Sequence, residues 1–325
     1  MKAVIATAYG SPDVLQIAEV PKPTPKPKEV LIRIRATSVT AGDCELRRFQ
    51  MPTMIWLLMR LVTGITKPRQ PILGQDISGE VEAIGSEVTR FKVGDQVFGT
   101  TGVSMGAYAE YKCVPETSSD HVLALKPHTM TYEQAAVVPT SALTAFDFLR
   151  KANVKAGHKV AILGAGGSIG TFALQFAKTM GAVVTGIDSG EKLDLITALG
   201  ADHAIDFTQH DFTADGTLYD IIIDVAAKRS YWQCRRALTP NGVYLIANLR
   251  VRDVAQWIAS AVTTQHKMIF WAGMLRNDDL VHVKGLIEAG TLTAVIDKTF
   301  TLDQMQDAHR YAESGHKRGN IAVSV

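Results

Sequence analysis

The stretch ILGAGGSIGTFALQFAK, residues 162–178, decides the fold prediction for this chain. It begins as an apolar strand that ends at Leu163, and a helical pattern starts directly after a glycine-rich loop. Glycine permits a tight turn and a close approach of the backbone to a pyrophosphate, whose charge the helix N-terminus attracts. The spacing is G-x-x-G-x-x-G, not the strict G-x-G-x-x-G, because position 169 is isoleucine. The sequence predicts a dinucleotide-binding loop, with an unliganded glycine turn as the alternative, and the loop residues are Gly164, Gly166, Gly167, Ser168, Ile169 and Gly170.

The next predicted strand, VVTGID, ends in Asp188, which lies 188 − 170 = 18 positions after the last glycine. A carboxylate at about this offset binds the ribose hydroxyls of NAD and repels the 2′-phosphate of NADP. Asp188 therefore favours NADH. Ser189 and Lys192 are groups that can hold such a phosphate, so NADH and NADPH both remain candidate cofactors. The alternative interpretation of Asp188 is a helix N-cap.

Length and composition indicate an ordinary globular protein of two domains. The chain has 325 residues, of which 46% are apolar and 20% charged, and one hydrophobic core seldom serves so long a chain. The formal charge of +2 gives no electrostatic basis for binding nucleic acid. Cys44, Cys113 and Cys234 are far apart and form no C-x-x-C pair, which favours a reducing, cytoplasmic location over a disulfide scaffold.

The pattern of the chain changes near residue 130. Residues 1–127 contain short β-branched or alternating segments separated by Gly, Pro, Asp and Ser, which is typical of strands. From Thr131, helical patterns that include 131–150 and 230–242 alternate with apolar strands, and this alternation predicts a doubly wound parallel sheet. A helix, a strand, a helix and a last strand complete the tail. The six predicted strands are 159–165, 183–188, 203–207, 219–226, 242–248 and 267–274.

The sequence predicts neither a signal peptide nor a membrane span. The opening MKAVIATAYGSPDV has no long apolar core before a cleavage site. The most apolar stretch, MIWLLMRLVTGI (54–65), is interrupted by Arg60 and is shorter than the roughly 20 residues that a spanning helix needs. A helix or loop packed on a core is the favoured interpretation. A site lid, a dimer contact and a membrane-surface helix are the alternatives.

Several motifs together resemble the medium-chain dehydrogenase/reductase superfamily, and within it the zinc-independent quinone oxidoreductase branch that includes zeta-crystallin. They are KVAIL followed by GAGGSIG, TRFKVGDQVFGT (89–100), GAYAEY (106–111), LTAF (143–146), LGADHAIDF and RRALTPNGVYL. The resemblance runs over nearly the whole chain. It implies a GroES-like β-rich domain made of residues 1–130 and 275–325, a Rossmann domain of residues 131–274, and an active-site cleft between them. Relatives commonly form homodimers.

The resemblance also locates the positions where zinc-dependent relatives hold their metal. The three ligands would fall at Thr40, Gln75 and near Thr140. Threonine and glutamine are poor zinc ligands, because zinc binds thiolate, imidazole or carboxylate. Cys44 and Asp76 are near two of these positions but lack a third ligand. The expectation is therefore a site without a metal, in which Asp76 caps a turn or orients a neighbour.

A metal-free site beside a nicotinamide can still reduce an acceptor that is already electron-poor, such as a quinone or an α,β-unsaturated ketone or aldehyde. The resemblance implies the same small, hydrophobic acceptors. An alternative is a nucleotide-binding protein with a structural or regulatory role, and a less favoured one is a zinc alcohol dehydrogenase. The resemblance places four candidate hydrogen-bond donors to the acceptor in the cleft, Thr40, Gln75, Tyr108 and Thr140. It also implies the candidate cofactor contacts, which are Thr144, Gly164, Gly166, Gly167, Ser168, Ile169, Gly170, Asp188, Ser189, Lys192 and Asn320.

Overall fold

A computed structural model describes residues 1–49, 56, 60–118, 120–226, 229–247, 265–270 and 275–325. The chain forms two compact units. The first contains Met1–Leu143 together with Met274–Val325, and the second contains Thr144–Gly273. The C-terminal tail is therefore part of the first unit.

The described residues contain fifteen strands. β1 and β2 pair as an antiparallel ribbon, β3–β7 with β14 and β15 form a sheet of the first unit, and β8–β13 form the sheet of the second. The strands are β1 Lys2–Ala6, β2 Leu15–Glu19, β3 Glu29–Ser38, β4 Asp76–Ile84, β5 Gln96–Thr100, β6 Tyr111–Pro115, β7 Val122–Leu125, β8 Lys159–Leu163, β9 Val183–Asp188, β10 His203–Asp206, β11 Tyr219–Asp224, β12 Leu238–Ile246, β13 Lys267–Phe270, β14 Ile296–Thr301 and β15 Asn320–Ser324.

Eight α-helices with defined bounds lie in the described residues. They are α1 Ala41–Arg48, α2 Tyr132–Ala136, α3 Pro139–Lys151, α4 Ser168–Thr179, α5 Leu193–Ala198, α6 Tyr231–Cys234, α7 Asn277–Glu288 and α8 Met305–Glu313. No helix among these described segments has both the length and the apolar run needed to cross a bilayer. Positions 54, 55 and 57–59 of the apolar stretch 54–65 lie outside the described residues, as do positions 248 and 271–274 of the predicted strands.

The sheet of the first unit is built around β3. This strand pairs antiparallel with β4, β6 and β15, and the order along the sheet is β14-β15-β3-β4-β5-β7. Val30, Ile32 and Ile34 of β3 are buried in one apolar cluster with Ile77 and Val81 of β4, as expected for β-branched residues at alternate positions. The β-rich architecture predicted for the first part of the chain is confirmed.

The predicted helix over 131–150 is interrupted. α2 ends at Ala136, and α3 begins at Pro139, because proline has no N–H to donate and disfavours a helical conformation for the residue before it. α2 contacts the sheet of the first unit, since the Tyr132 hydroxyl donates to Glu80 on β4. The first unit thus extends past residue 130, the boundary suggested by the sequence pattern, as far as Leu143.

The second unit has the predicted doubly wound sheet. All its strands are parallel, in the order β10-β9-β8-β11-β12-β13. The direction of winding reverses between β8 and β11, where Leu163 and Asp224 are register partners at the strand ends. Ligands of open parallel sheets bind outside the carboxyl ends of the strands at such a point. The loop that follows Leu163 is therefore at the position where ligands of such sheets bind.

The helix predicted over 230–242 was wrong for most of its length. α6 ends at Cys234, and β12 already begins at Leu238. Pro240 cannot occupy a helix interior, and the residue before a proline prefers the extended conformation. The apolar positions that suggested a helix belong to the start of a strand, because Leu238 and Val243 pair with β11.

Candidate active site

The glycine loop closes tightly on itself between β8 and α4. Gly164 has φ +82°, a conformation that favours glycine. At Gly170, an added Cβ would lie 2.1 Å from the Gly164 carbonyl oxygen and 2.7 Å from the Cα of Ala165. Both positions therefore require glycine, and they bring the first turn of α4 against the loop backbone.

The outer edge of this loop has the features that a pyrophosphate requires. Gly167 is the N-cap of the twelve-residue helix α4 and has no side chain with which to cap it. Gly164, Gly167, Ser168 and Ile169 are partly exposed, whereas Gly166 and Gly170 are buried. A helix N-terminus without a side-chain cap, behind an exposed glycine edge, favours an anion. The loop residues fit the pyrophosphate of a dinucleotide.

Asp188 is at the end of β9 and is engaged with the loop. Its carboxylate accepts the Gly166 N–H and the Ser189 N–H, each at 2.9 Å. The ammonium group of Lys192 lies 3.3 Å from Asp188 Oδ1, and both side chains are largely buried. The pairing of Asp188 with Lys192 places a carboxylate and an ammonium group together at the carboxyl end of β9.

A small recess with a cavity volume of about 70 Å³ lies at the carboxyl ends of β8, β9 and β11. Its polar wall includes Asp188 and Asp224, and its apolar wall includes Leu163 and Ile187. The guanidinium of Arg229 also lines it and forms an ion pair with Asp211 at 2.7 Å. The position of this recess, outside the carboxyl ends of the strands at the switch point of the sheet, suits one end of a dinucleotide.

Two predicted cofactor contacts belong to other elements, α3 and β15. Thr144 is 5% exposed within α3. Asn320, at the start of β15, is 3% exposed, and its amide is used inside the first unit. Its Nδ2 donates to Val295, and its Oδ1 accepts from Ser141. The side chain of Asn320 therefore has a structural role whether or not its backbone approaches a cofactor.

Thr40 is the N-cap of α1 and forms a closed capping box with Asp43. Its hydroxyl donates to Asp43 Oδ2 at 2.7 Å and accepts the Asp43 N–H at 3.2 Å. Asp43 Oδ2 also accepts the Thr40 N–H at 2.9 Å. The proton of the Thr40 hydroxyl is thus directed at a buried carboxylate. The T-x-x-D spacing of such a box is present in the sequence and would have predicted the role of Asp43.

Tyr108 is fully buried in the core of the first unit. Its hydroxyl lies 3.1 Å from His309 Nε2, and His309 Nδ1 lies 3.4 Å from Cys44 Sγ. The ring also covers Gly74, where an added Cβ would lie 2.3 Å from Tyr108 Cδ1. The polar tip of Tyr108 is therefore directed at a buried histidine, and the ring holds the segment that carries Gln75.

Asp76 is the centre of a second buried polar cluster. Its Oδ1 accepts the Thr140 hydroxyl at 2.6 Å and the Thr140 N–H at 3.1 Å. Its Oδ2 accepts the Ser38 hydroxyl at 2.9 Å. Thr140 Oγ1 also lies 3.2 Å from Thr100 Oγ1. Asp76 therefore caps the start of α3, and Ser38 and Thr100 are members of the site that the sequence pattern did not reveal.

The two buried carboxyl groups influence each other. Burial raises the pKa of Asp43 to about 6, although the Thr40 donors oppose the change. Burial also raises the pKa of Asp76 to about 7, against the hydrogen bonds from Thr140 and Ser38, and the nearby Asp43 charge adds to the increase. The donors stabilise the ionised forms, yet the loss of hydration outweighs them.

Gln75 differs from the other candidate donors. Its carbonyl oxygen accepts the backbone N–H and the hydroxyl of Thr101, at 2.7 and 3.0 Å, which fixes the main chain. Its side chain is partly exposed, and no described residue forms a hydrogen bond with the side-chain amide. Among the four candidate donors, Gln75 is the one whose N–H groups are uncommitted within the described part of the chain.

The side chains around Thr40, Gln75 and Thr140 are poorly suited to a metal. Within the ranges that the structure describes, no three His, Cys, Asp or Glu residues are grouped as metal ligands. Cys44 contacts His309, and burial raises the pKa of its thiol to about 12, so the thiolate that zinc needs is disfavoured. The donor chemistry at these positions is that of hydroxyl and amide groups.

The chain is similar over its length to known oxidoreductases. A family model described as "Alcohol dehydrogenase GroES-like domain" matches residues 26–127, and one described as "Zinc-binding dehydrogenase" matches residues 199–323. The NAD(P)H oxidoreductase RTN4IP1, mitochondrial, of Bos taurus is 30% identical, with 100% of this chain and 89% of that protein covered. The 2-methylene-furan-3-one reductase of Solanum lycopersicum is 28% identical, with coverages of 99% and 79%.

A solved structure gives the same result for the fold. The quinone oxidoreductase from Coxiella burnetii superposes with a TM-score of 0.89 at 28% identity. The comparison covers 100% of this chain and 99% of that one. Both units, including the tail that completes the first sheet, therefore have counterparts in a single known architecture.

Proposed function

The chain belongs to the medium-chain dehydrogenase/reductase superfamily, in its quinone oxidoreductase branch, and from this premise we propose that it is a metal-free, NAD(P)H-dependent reductase of quinones or α,β-unsaturated carbonyl compounds. The observation that carries the proposal is the loop from Gly164 to Gly170, whose shape suits a dinucleotide pyrophosphate at the switch point of the sheet. When bound, the reduced nicotinamide supplies a hydride.

The acceptor class follows from the groups available to receive developing charge. Gln75 offers an uncommitted amide and Thr140 is a partly exposed hydroxyl residue, at two positions where zinc-dependent relatives hold their metal. Such groups stabilise an oxyanion by hydrogen bonding, but they do not activate an alcohol as a Lewis acid does. This supports reduction of an acceptor that is already electron-poor. The name of the Solanum lycopersicum relative, which denotes reduction of an unsaturated ketone, favours the same class.

The first test follows the loss of reduced nicotinamide absorbance with NADH and NADPH in parallel. A small set of quinones and enones is offered with a chelator present. We expect turnover that the chelator leaves unchanged. NADH should be the better donor, because Asp188 presents a carboxylate where a 2′-phosphate would bind, although Lys192 partly offsets its charge.

Two outcomes would contradict parts of this proposal. Tight dinucleotide binding without turnover on any acceptor would favour a structural or regulatory nucleotide-binding protein. Turnover that disappears with the chelator and returns with zinc would establish a metal enzyme. A preference for NADPH would mean that Lys192 and Ser189 determine recognition at this position and that Asp188 serves the loop.

Gln75 is the proposed donor to the acceptor oxygen, and its replacement gives a direct prediction. Gln75→Leu keeps the approximate side-chain size and removes the uncommitted amide. We expect kcat/KM for an enone to fall about tenfold, the value of one net hydrogen bond of about 1.4 kcal/mol. The dissociation constant for the reduced cofactor should stay unchanged.

Gln134→Leu is a matched control for this change. Gln134 is in the first turn of α2, where its side chain caps Thr131, so its loss affects stability and not acceptor binding. An equal fall of kcat/KM in both variants would indicate a general loss of structure. An unchanged value in Gln75→Leu would remove Gln75 from the site.

A further inference from the structure

Asp76 and Thr140 form the closest contact between a buried carboxyl group and a partly exposed hydroxyl among the candidate site residues. Asp76 has no solvent exposure, whereas Thr140 is partly exposed. Their oxygens, Asp76 Oδ1 and Thr140 Oγ1, are 2.6 Å apart. The contact thus joins a fully buried carboxyl group to the hydroxyl of a partly exposed residue.

The surroundings of Asp76 provide hydroxyl groups and no positive charge. Ser38 on β3 and Thr140 at the start of α3 donate to its carboxyl group, and Thr100 on β5 contacts Thr140. The titratable groups that face it are Asp43 on α1, whose charge has the same sign, and the phenol of Tyr108. No cation in the described ranges is recorded as a partner of Asp76. Burial outweighs the hydroxyl and N–H donors and raises the pKa of Asp76 to about 7, so the neutral acid is well populated near neutral pH.

The other candidate hydroxyls are less suited to pass on a proton. The Thr40 hydroxyl is closed in its capping box with Asp43, and Thr40 is only 9% exposed. The Tyr108 hydroxyl faces His309 in the core, and burial and the charges of Asp43 and Cys44 raise its pKa well above the ordinary value. Among the candidate hydroxyl residues, Thr140 is the one that both contacts a buried carboxyl group and is partly exposed to solvent.

We propose that Asp76, protonated and held behind Thr140, is the proton source for the reduced acceptor, with the Thr140 hydroxyl as the relay. This inference rests on the proposed reduction of an enone. In this role Asp76 must be neutral. A neutral acid does not oppose the negative charge that develops on the acceptor oxygen, whereas an ionised carboxylate would.

The proton transfer follows the addition of hydride to the acceptor. Hydride addition to the β-carbon of an enone breaks the C=C π bond and leaves the electron pair as an enolate. The Thr140 O–H bond breaks, and its proton bonds to the enolate oxygen. Asp76 Oδ1 passes its own proton to Thr140 Oγ1 and becomes a carboxylate. The resulting enol converts to the saturated ketone, and water reprotonates Asp76 through Thr140 after the product leaves.

The carboxylate formed at the end is stabilised by the donors already present. Ser38 Oγ, Thr140 N–H and the reformed Thr140 hydroxyl all donate to it. The same donors accommodate the protonated state, because Thr140 Oγ1 can accept from Asp76 while its own proton turns toward the acceptor. The cluster thus holds either protonation state without a change in heavy-atom positions.

The test compares Asp76→Asn and Thr140→Val with Thr37→Val. Asparagine keeps the shape of Asp76 and cannot supply the proton, while Thr140→Val removes the relay. Thr37 Oγ1 donates to the main-chain oxygen of Asp76 at 2.7 Å, so its loss disturbs the same strand and leaves the carboxyl group intact. With methyl vinyl ketone, we expect kcat to fall about 100-fold in the first two variants, the lower end of the effect of a positioned proton donor. In Thr37→Val, only stability should fall.

The pH dependence separates this role from a structural one. Wild-type kcat should decrease as pH rises through about 7, the pKa that burial gives Asp76, because the reaction needs the protonated form. Asp76→Asn should be slow and lack this decrease. Infrared difference spectra of the protein alone should show a protonated carboxyl band that is lost over the same pH range and is absent in Asp76→Asn.

The results that would overturn the inference differ from those that would overturn the proposed function. A wild-type kcat and pH profile in a folded Asp76→Asn, or an infrared band for ionised Asp76 throughout, would show that Asp76 only caps α3. If wild type reduces no quinone or enone, the proposed function fails and this role fails with it. If Asp76→Asn does not fold, Thr140→Val and the wild-type infrared titration still decide the question.

Discussion

Gly170→Ala is expected to reduce dinucleotide affinity about 100-fold, a change of about 2.8 kcal/mol. The added Cβ would lie 2.1 Å from the Gly164 carbonyl oxygen and 2.7 Å from the Ala165 Cα. Both contacts are with backbone atoms, so no side chain can rotate away. Forcing an extra carbon into a packed site typically costs about 1–3 kcal/mol. Here the cost falls on the loop, because α4 must move away from the backbone that would hold the pyrophosphate.

Gly285→Ala is the control for this result, because it lies outside the glycine loop. Gly285→Ala is in the interior of α7 and meets no atom within 4 Å. Its thermal stability should rise slightly, since alanine favours a helix by about 0.5–1 kcal/mol over glycine.

Dinucleotide affinity is measured by fluorescence titration or calorimetry with NADH and NADPH, and folding by circular dichroism. The prediction requires a folded Gly170→Ala protein with weak binding and a Gly285→Ala protein that binds normally. Wild-type affinity in Gly170→Ala would show that the loop can open without loss of function, and that its tight closure serves packing alone.

The sequence was sufficient to predict this loop because its determinants are local. Leu163 ends the apolar strand, glycines follow at fixed spacing, and the helix begins at once, so a short segment contains the whole signal. The doubly wound sheet follows from the alternation of strands and helices. The error over 230–242 has a local cause as well, since Pro240 argued against a helix and the apolar pattern was given more weight.

The polar clusters of the first unit could not be predicted in the same way. Asp76 contacts Thr140, and Tyr108 contacts His309, across long stretches of intervening chain. Which hydroxyl faces which carboxyl group depends on how β4, α3 and α8 pack, and no sequence period encodes that. Thr40 and Asp43 form the exception, because their capping box is confined to four consecutive residues.

Burial similarly changes what a residue type implies. In the sequence, Asp76 is an ionised carboxylate that would oppose a developing enolate, and Tyr108 is an available phenol. In the structure, both are fully buried. The loss of hydration raises the pKa of Asp76 to about 7, and the Tyr108 hydroxyl lies 3.1 Å from His309 Nε2. The chemistry at these positions thus depends on contacts that only the folded chain provides.

A second large effect is expected from the charge pair that joins α1 to α8. Arg47 is fully buried and donates from Nη2 to Glu313, while its Nε and Nη1 have no hydrogen-bond partner in the described residues. Glu313 also accepts from Arg48 at 2.8 Å. Removing the acceptor from a buried cation leaves an uncompensated charge, which typically costs about 3–5 kcal/mol. Glu313→Ala should lower the free energy of unfolding by about this amount.

Arg47→Met should have a much smaller effect, although it breaks the same pair. Methionine keeps an apolar stem in the buried space, and apolar replacement of a buried ion pair is often neutral or stabilising by about 1–4 kcal/mol. Glu313 is then left partly exposed and still paired with Arg48. Asp307→Ala on the same helix is the control, because its ion pair with Arg310 is in solvent and should contribute at most about 1 kcal/mol.

Urea titrations of the three single variants and of the Arg47→Met/Glu313→Ala double variant measure these differences. If Glu313→Ala lowers the free energy of unfolding because it leaves the buried Arg47 cation unpaired, this loss should largely disappear in the double variant, which lacks the cation. A cost that persists there would mean that Glu313 stabilises α8 through Arg48 or through packing. A Glu313→Ala effect as small as that of Asp307→Ala would mean that Arg47 finds another acceptor, and the two helices would then be held together by their apolar contacts.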